Sequence, residues 1–293
     1  MSEHKTDQPD TPQQSTYVFD PESPEELVRL MMMDQLITGA MGGPLAGLPE
    51  LPEHANVIDL ACGPGGWVLN VAHTHPDVEV CGVDISKGMV DYANARARSQ
   101  NLRNASFGVM SITQPLDFPD NSFDLVNARF VTTVLPTEYW PTFLQECRRI
   151  TRPGGIFRST ESEFWGITNS PACERVRMLG CELLRALGHG FSADGQNFGI
   201  TPVIGHLVQS AGFEQIQQRI YMINYSSGTQ AWSEFYHNME IGNALGMEMA
   251  RKIGMPLEPD DATVGRRALE EMQQKDFCGL YWFLSTWGVK PRA

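Results

Sequence analysis

The stretch from Val57 to Trp67, Val-Ile-Asp-Leu-Ala-Cys-Gly-Pro-Gly-Gly-Trp, constrains the fold of this chain more than any other. Val57, Ile58 and Leu60 suit a buried strand, and the glycines that follow make a tight turn. An amphipathic run, Trp67 to His73, continues as a helix. A strand that ends in glycines and opens a helix presents backbone N–H groups to a nucleotide-like ligand.

The spacing downstream predicts a repeating pattern. Strands fall at about 56–61, 79–84, 105–110, 123–127 and 156–160. Helices fall between them, at 87–100 behind Ser86 and at 138–150. Arg152-Pro-Gly-Gly155 reads as a helix end plus turn. Strands alternating with helices at this spacing imply βαβ units and a parallel sheet. From Trp165 the pattern changes to helices at 171–188, 203–211, 229–253 and 260–275. Strands at 213–223 and 279–288 complete the chain. Upstream, Ser23 caps a helix that runs to about Thr38, with Pro24 at its first position and Glu26 completing a capping box. Residues 1–16 are polar and predict a disordered tail.

Composition then limits the partners. The 293 residues are 42% hydrophobic and 19% charged, enough for a globular core, with a formal net charge of −13. Nucleic-acid binders cluster Lys and Arg, so an acidic balance argues against such a partner. No apolar run approaches the roughly 18 residues that a membrane span requires, and the polar first residues do not read as a secretory signal. The six cysteines, at 62, 81, 147, 173, 181 and 278, contain no C-x-x-C pair. They read as reduced thiols of a cytoplasmic protein, and no residue cluster has metal-ligand spacing.

Asp59-x-Ala61-x-Gly63-x-Gly65 resembles motif I of class I S-adenosylmethionine-dependent methyltransferases, with Ala61 where that family often has glycine. Asp84, ending the second strand, matches the acid that bonds the ribose hydroxyls in that family. Phe118 to Asn127 and Arg152 to Gly155 match its strand-four and strand-five signatures, so the resemblance covers about residues 56–160. It implies a Rossmann-like, doubly wound α/β sheet, mostly parallel with an antiparallel last strand, carrying helical lid insertions at about 165–200 and 229–275. It also implies S-adenosylmethionine as cofactor, held by Asp59, Ala61, Gly63, Gly65, Asp84 and Asn127. By the same analogy Ile85 and Met89 cover the adenine, and Met110 and Ser111 meet its edge. The segment Tyr17…Glu26…Arg29 resembles a signature that precedes motif I in small-molecule methyltransferases of secondary metabolism, whose first helix closes over the cofactor. Tyr17 and Arg29 then become candidates for the cofactor's carboxylate end; a capped helix with a surface Arg–Glu pair is the competing reading. On this basis residues 17–52 form a helical cap and 53–293 the methyltransferase domain.

Glycines let the backbone approach a ligand closely, and a carboxylate can accept two ribose hydroxyls in strong charge-assisted bonds. Methyl transfer is an in-line displacement from an already activated sulfonium, so alignment matters more than a catalytic triad. The candidate bases are Glu161, Glu163, His189, His206 and His237, with Glu161 first because it follows the fifth strand; each histidine also reads as a structural or surface residue. The aromatic and methionine-rich inserts favour an enclosed site for a small, largely apolar metabolite. Two other readings compete: a non-methylating regulatory or scaffolding protein that keeps the cofactor site, and an NAD-dependent oxidoreductase. The latter is opposed by Val68, which stands where a dinucleotide fingerprint places its third glycine. The expected assembly is a monomer or homodimer.

Overall fold

The computed structural model describes residues 17–20 and 23–292; the expected disordered tail, 1–16, lies outside the described residues. Helix α1 (Pro24–Met41) leads into β1 (Asn56–Leu60), α2 (Gly66–Thr74), β2 (Glu79–Asp84), α3 (Lys87–Ser99), β3 (Ala105–Val109) and β4 (Phe123–Arg129). Then follow α4 (Trp140–Ile150), β5 (Thr151–Ser162), the short β6 (Ile167–Thr168), α5 (Pro171–Ala186), α6 (Ile204–Ser210), β7 (Glu214–Asn224), α7 (Trp232–Lys252), α8 (Asp261–Met272) and β8 (Gly279–Val289).

One sheet runs in the order β3-β2-β1-β4-β5-β8, with β7 on the outer side of β8 and β6 pairing with the start of β8. The first five strands are mutually parallel. β8 is antiparallel to β5, β6 and β7. The result is a Rossmann-like, doubly wound sheet whose last strand alone runs backwards among the described residues. Val57, Ile58 and Leu60 are fully buried, as expected of a central parallel strand covered by helices on both faces. The strand order reverses at β1, with β2 on one side and β4 on the other. Open α/β sheets bind ligands at such a switch point, beyond the carboxyl ends of the strands.

Two local expectations need correction. Arg152 to Gly155 does not precede the fifth strand but lies inside it. Thr151 already pairs with Phe123, and the register then jumps so that Leu125 faces Ile156. The turn is therefore a bulge, which accommodates Pro153 and the left-handed Gly154. The capping box at α1 is half formed. Ser23 Oγ accepts from the Glu26 N–H at 3.3 Å, but the Glu26 carboxylate turns to Arg29 instead of back to the cap.

Candidate active site

The carboxyl ends of β1 to β5 form the floor of one large cavity, and α1, α5, α7 and α8 form its walls and roof. Asp59 of β1 with Ala61 and Gly63 after it, Asp84 at the end of β2 with Ile85 after it, Met110 and Ser111 after β3, and Arg129 at the end of β4 with Phe130 after it all line it. Met89 reaches it from α3, and Tyr17, Arg29, Leu30, Met33 and Asp34 from the N-terminal cap.

The glycine turn and the acid of β2 are directly joined. Asp84 Oδ2 accepts from the Gly63 N–H at 2.8 Å, and Oδ1 accepts from the Ser86 N–H at 2.9 Å. Ser86 itself caps α3, accepting from the Met89 N–H, so Asp84 is not needed as the cap. Both of these donors are backbone groups, and the carboxylate they hold lines the cavity. Ala61 stands at φ +55°, a conformation that glycine adopts without strain, which accounts for the family's frequent glycine there.

A buried polar chain lies beneath the turn. Asn127 Nδ2 donates to Asp59 Oδ1 at 2.6 Å, and Arg158 Nε donates to Asn127 Oδ1 at 2.7 Å. Arg158 Nη2 donates to the Pro44 carbonyl at 2.7 Å, and its guanidinium lies over the Trp67 ring. Burial pushes the Asp59 carboxyl up to about 6, against the opposing pull of Arg129 and the Asn127 bond. Burial, then Arg129, brings Arg158 down to about 9.

Helix α1 closes the cavity over the turn. Asp34 pairs with Arg129, and a Cβ placed on Gly66 would stand 2.1 Å from Asp34 Oδ2. The carboxylate therefore packs on the bare start of α2, where only glycine fits. Glu26 is fully buried; it holds Arg29 at 2.6 and 2.7 Å and bonds Tyr17. The pair read from sequence as a possible surface feature is thus an interior one, and Arg29 Nη1 donates onward to Asn238 Oδ1 of α7 at 3.1 Å.

Several sequence-derived candidates do not reach the cavity. Gly65 (φ +74°) lies behind it: a Cβ there would meet the Phe107 ring at 2.5 Å, so this glycine allows α2 to seat against β3. Asn127 is fully buried and orients Asp59 from below. Glu161 is buried away from the cavity, accepting from the Val131 and Thr132 N–H groups and from the Thr132 and Ser159 hydroxyls. Desolvation outweighs those bonds and pushes its carboxyl up to about 7. Its partners fix the turn after β4. Glu163 likewise accepts from Gly199 N and from Thr201 N and Oγ1. His189 is buried, with Nδ1 2.8 Å from the Thr132 carbonyl. His237 is exposed beside Glu240, and His206 is exposed near Ser210. No histidine is among the described residues lining the cavity.

Sequence reasoning missed Asp34, Arg129, Arg158 and Asn238. Arg158 did carry a signal, a lone charge in the central strand Ile156-Phe-Arg-Ser-Thr. Asp34 and Asn238 sit in helices where nothing local distinguishes them.

Fold and site together define a class I methyltransferase architecture. Residues 57–155 match the family described as "Methyltransferase domain"; this stretch is a class I S-adenosylmethionine-dependent methyltransferase domain. It is 33% identical over 100 residues to a demethylmenaquinone methyltransferase of Geobacillus stearothermophilus, covering 34% of this chain and 42% of that protein. A second protein of that name, from Bacillus licheniformis, is 32% identical over 123 residues, 41% of this chain and 51% of that one. The matches thus span about half or less of those relatives. Among solved structures, the YcgJ protein of Bacillus subtilis superposes over 89% of this chain and 99% of its own, at 17% identity and a TM-score of 0.51. Phosphoethanolamine N-methyltransferase 2 of Haemonchus contortus, solved with S-adenosyl-L-methionine, superposes over 92% of this chain and 57% of its own, at 16% identity and a TM-score of 0.53. At that identity the likeness is one of fold. Among the described residues no helix is long and apolar enough to cross a membrane.

Proposed function

We propose that this chain transfers a methyl group from S-adenosylmethionine to a small, largely apolar acceptor. One observation carries the reading: the space between the glycine turn and Asp84 is continuous with a chamber walled by Phe164, Trp165, Val176, Leu179 and Leu183. The floor offers a carboxylate for the ribose and open backbone for the methionine portion, with Ile85 and Met89 placed for the adenine and Met110 and Ser111 for its edge. Arg29 and Tyr17 face the carboxylate end. Asp59, its charge compensated by Arg129, suits the cofactor's cationic amino group. Beyond the sulfonium the lining turns apolar, which excludes water and strengthens the alignment on which an in-line displacement depends.

Among the described residues the lining holds no imidazole and Glu161 lies outside it, so the reading rests on alignment of the acceptor's own nucleophilic atom and assigns no histidine or Glu161 as base. Demethylmenaquinone, named for the relatives, belongs to the apolar class that such a chamber accommodates. The net charge of −13 favours a small molecule over a nucleic acid as acceptor. The unpaired cysteines and the N-terminal cap support a cytoplasmic enzyme of secondary metabolism.

Incubating the protein with S-adenosylmethionine and a panel of hydroxylated aromatic acceptors, and following S-adenosylhomocysteine release, tests the reading. Release above the acceptor-free rate is expected for apolar members. Tight cofactor binding with no release across the panel would instead favour the non-methylating reading.

A further inference from the structure

Helix α7 turns Asn238, Gly242, Asn243, Gly246, Met247 and Ala250 toward the cavity. The spacing places them along one broad helical face. Gly242 lies under Trp165, where a Cβ would stand 2.8 Å from the indole, and a Cβ on Gly246 would meet nothing within 4 Å. This face is therefore cut back to leave room in the chamber.

Two amides interrupt its apolar character. Asn238 is 1% exposed, and its Nδ2 has no hydrogen-bond partner among the described residues. Its orientation is fixed, because Oδ1 accepts from Arg29 and the reverse placement would set two donors against each other. Asn243 Nδ2 is likewise buried without a partner, and this side chain lies against Gly265 of α8. Buried donors are nearly always satisfied, and each one left unmet costs about 1–3 kcal/mol. Arg129 Nε on the floor is a third such donor, and the two amides on the α7 face call for a ligand that accepts hydrogen bonds there.

We propose that Asn238 and Asn243 belong to the acceptor-recognition site, and that the molecule methylated is an apolar compound whose carbonyl-type oxygen accepts from an amide N–H of this face. The inference rests on the methyl-transfer reading and adds a polarity requirement to it. A hydrocarbon of the same shape leaves both donors stranded, and a compound presenting only N–H groups opposes them. Such a site rejects analogues that lack the oxygen more strongly than a purely apolar pocket rejects a change of one methylene.

The test titrates the full-length protein, loaded with S-adenosylhomocysteine, with 2-acetylnaphthalene and with 2-ethylnaphthalene, which has a methylene in place of the carbonyl. The carbonyl probe is expected to bind about tenfold more tightly. Asn243→Leu should remove most of that preference. Asn243→Asp, which sets an oxygen where the N–H stood, should weaken the carbonyl probe further while leaving the hydrocarbon nearly unchanged. Both variants should keep their affinity for S-adenosylhomocysteine within about twofold, which also reports that they fold. Equal affinity of the two probes for the wild type, no binding of either by the loaded protein, or a preference that survives both substitutions would overturn the proposal. A loss of S-adenosylhomocysteine affinity in Asn243→Leu as large as the loss for the carbonyl probe would also overturn it, by assigning the amide to the cofactor. Failure of the wild type to bind S-adenosylhomocysteine is a distinct result that contradicts the methyl-transfer reading; the two probes compared on the unloaded protein then decide the amide site by the same preference.

Discussion

The floor and the roof of the cavity are built on different principles. The floor consists of strand ends held by the parallel register of β1 with β2 and β4 and by two short-range polar bonds, from the Gly63 N–H to the Asp84 carboxylate and from the Asn127 amide to the Asp59 carboxylate. Its polar groups come from the ends of neighbouring parallel strands, and their positions follow from the strand register. The roof consists of helices from distant parts of the chain, and beyond Arg29 and Asp34 of α1 its lining is glycine, methionine, aliphatic and aromatic side chains and two amides. Its positions exist only after α1, α5, α7 and α8 have packed. The floor is suited to one constant ligand, while the roof can vary with the acceptor.

The largest expected effect separates the two directly. Asp84→Ala removes the carboxylate proposed to accept two ribose hydroxyls, each bond to a charged group contributing roughly 1.5–3 kcal/mol. Affinity for S-adenosylhomocysteine should fall by at least about 100-fold in a calorimetric titration, whereas the roof substitution Asn243→Leu leaves it intact. Equal losses from both variants would erase the distinction.

Glu161 gives the second test, because the sequence placed it in the site and the structure places it behind. Its folded-state carboxyl lies near 7, above the ordinary glutamate value of 4.5. The folded protein therefore binds the extra proton in that window, and the stability contributed by Glu161 declines as pH rises from about 4.5 through about 7. Denaturant unfolding of wild type and Glu161→Gln should show the difference shifting in the variant's favour across that window, by up to about 3 kcal/mol. Cofactor affinity should not change. A variant with unaltered stability and abolished methyl transfer would restore Glu161 as a base.

Legibility divides along the same line. Strand, turn and acid at 57–84 could be read directly, because hydrophobic runs, glycines and a terminal carboxylate act over a few residues. The sheet's last strand followed from the resemblance. What could not be read was depth: whether Glu161 and His189 point into the cavity or away from it depends on the corner at Val131–Thr132 that both contact. The same limit concealed the burial of Glu26 and Arg29, which α7 covers through Asn238 from more than 200 residues away. Gly65 and Asn127 were legible as motif positions, but their observed work is packing against Phe107 and orienting Asp59.

Asp59 gives a smaller test of the floor. With its carboxyl near 6 in the unliganded protein, a cationic ligand favours the ionised form and must displace a proton below that pH. S-adenosylmethionine affinity should rise as pH increases through about 6, weakening by about tenfold at pH 5 relative to the plateau. Asp59→Asn should flatten the profile. A pH-independent wild type would mean that the cofactor's charge lies elsewhere.

Ala61→Gly should have the smallest effect. Relieving a left-handed alanine at φ +55° gains about 1–2 kcal/mol, but the greater freedom of glycine in the unfolded chain offsets much of it. The net change should lie between zero and about 1 kcal/mol of added stability, read from the unfolding midpoint. A clear destabilisation would show that the Ala61 methyl group makes a contact that outweighs the strain.

The central claim is that the turn from Val57 to Trp67, with Asp84, holds a sulfonium cofactor in preference to a dinucleotide. Calorimetric titration of the purified protein with S-adenosylmethionine, and separately with NAD, tests it most directly. The expected result is one S-adenosylmethionine bound per chain at micromolar affinity and no measurable NAD binding. Absence of S-adenosylmethionine binding at high micromolar concentration, or NAD binding of equal strength, would contradict the account.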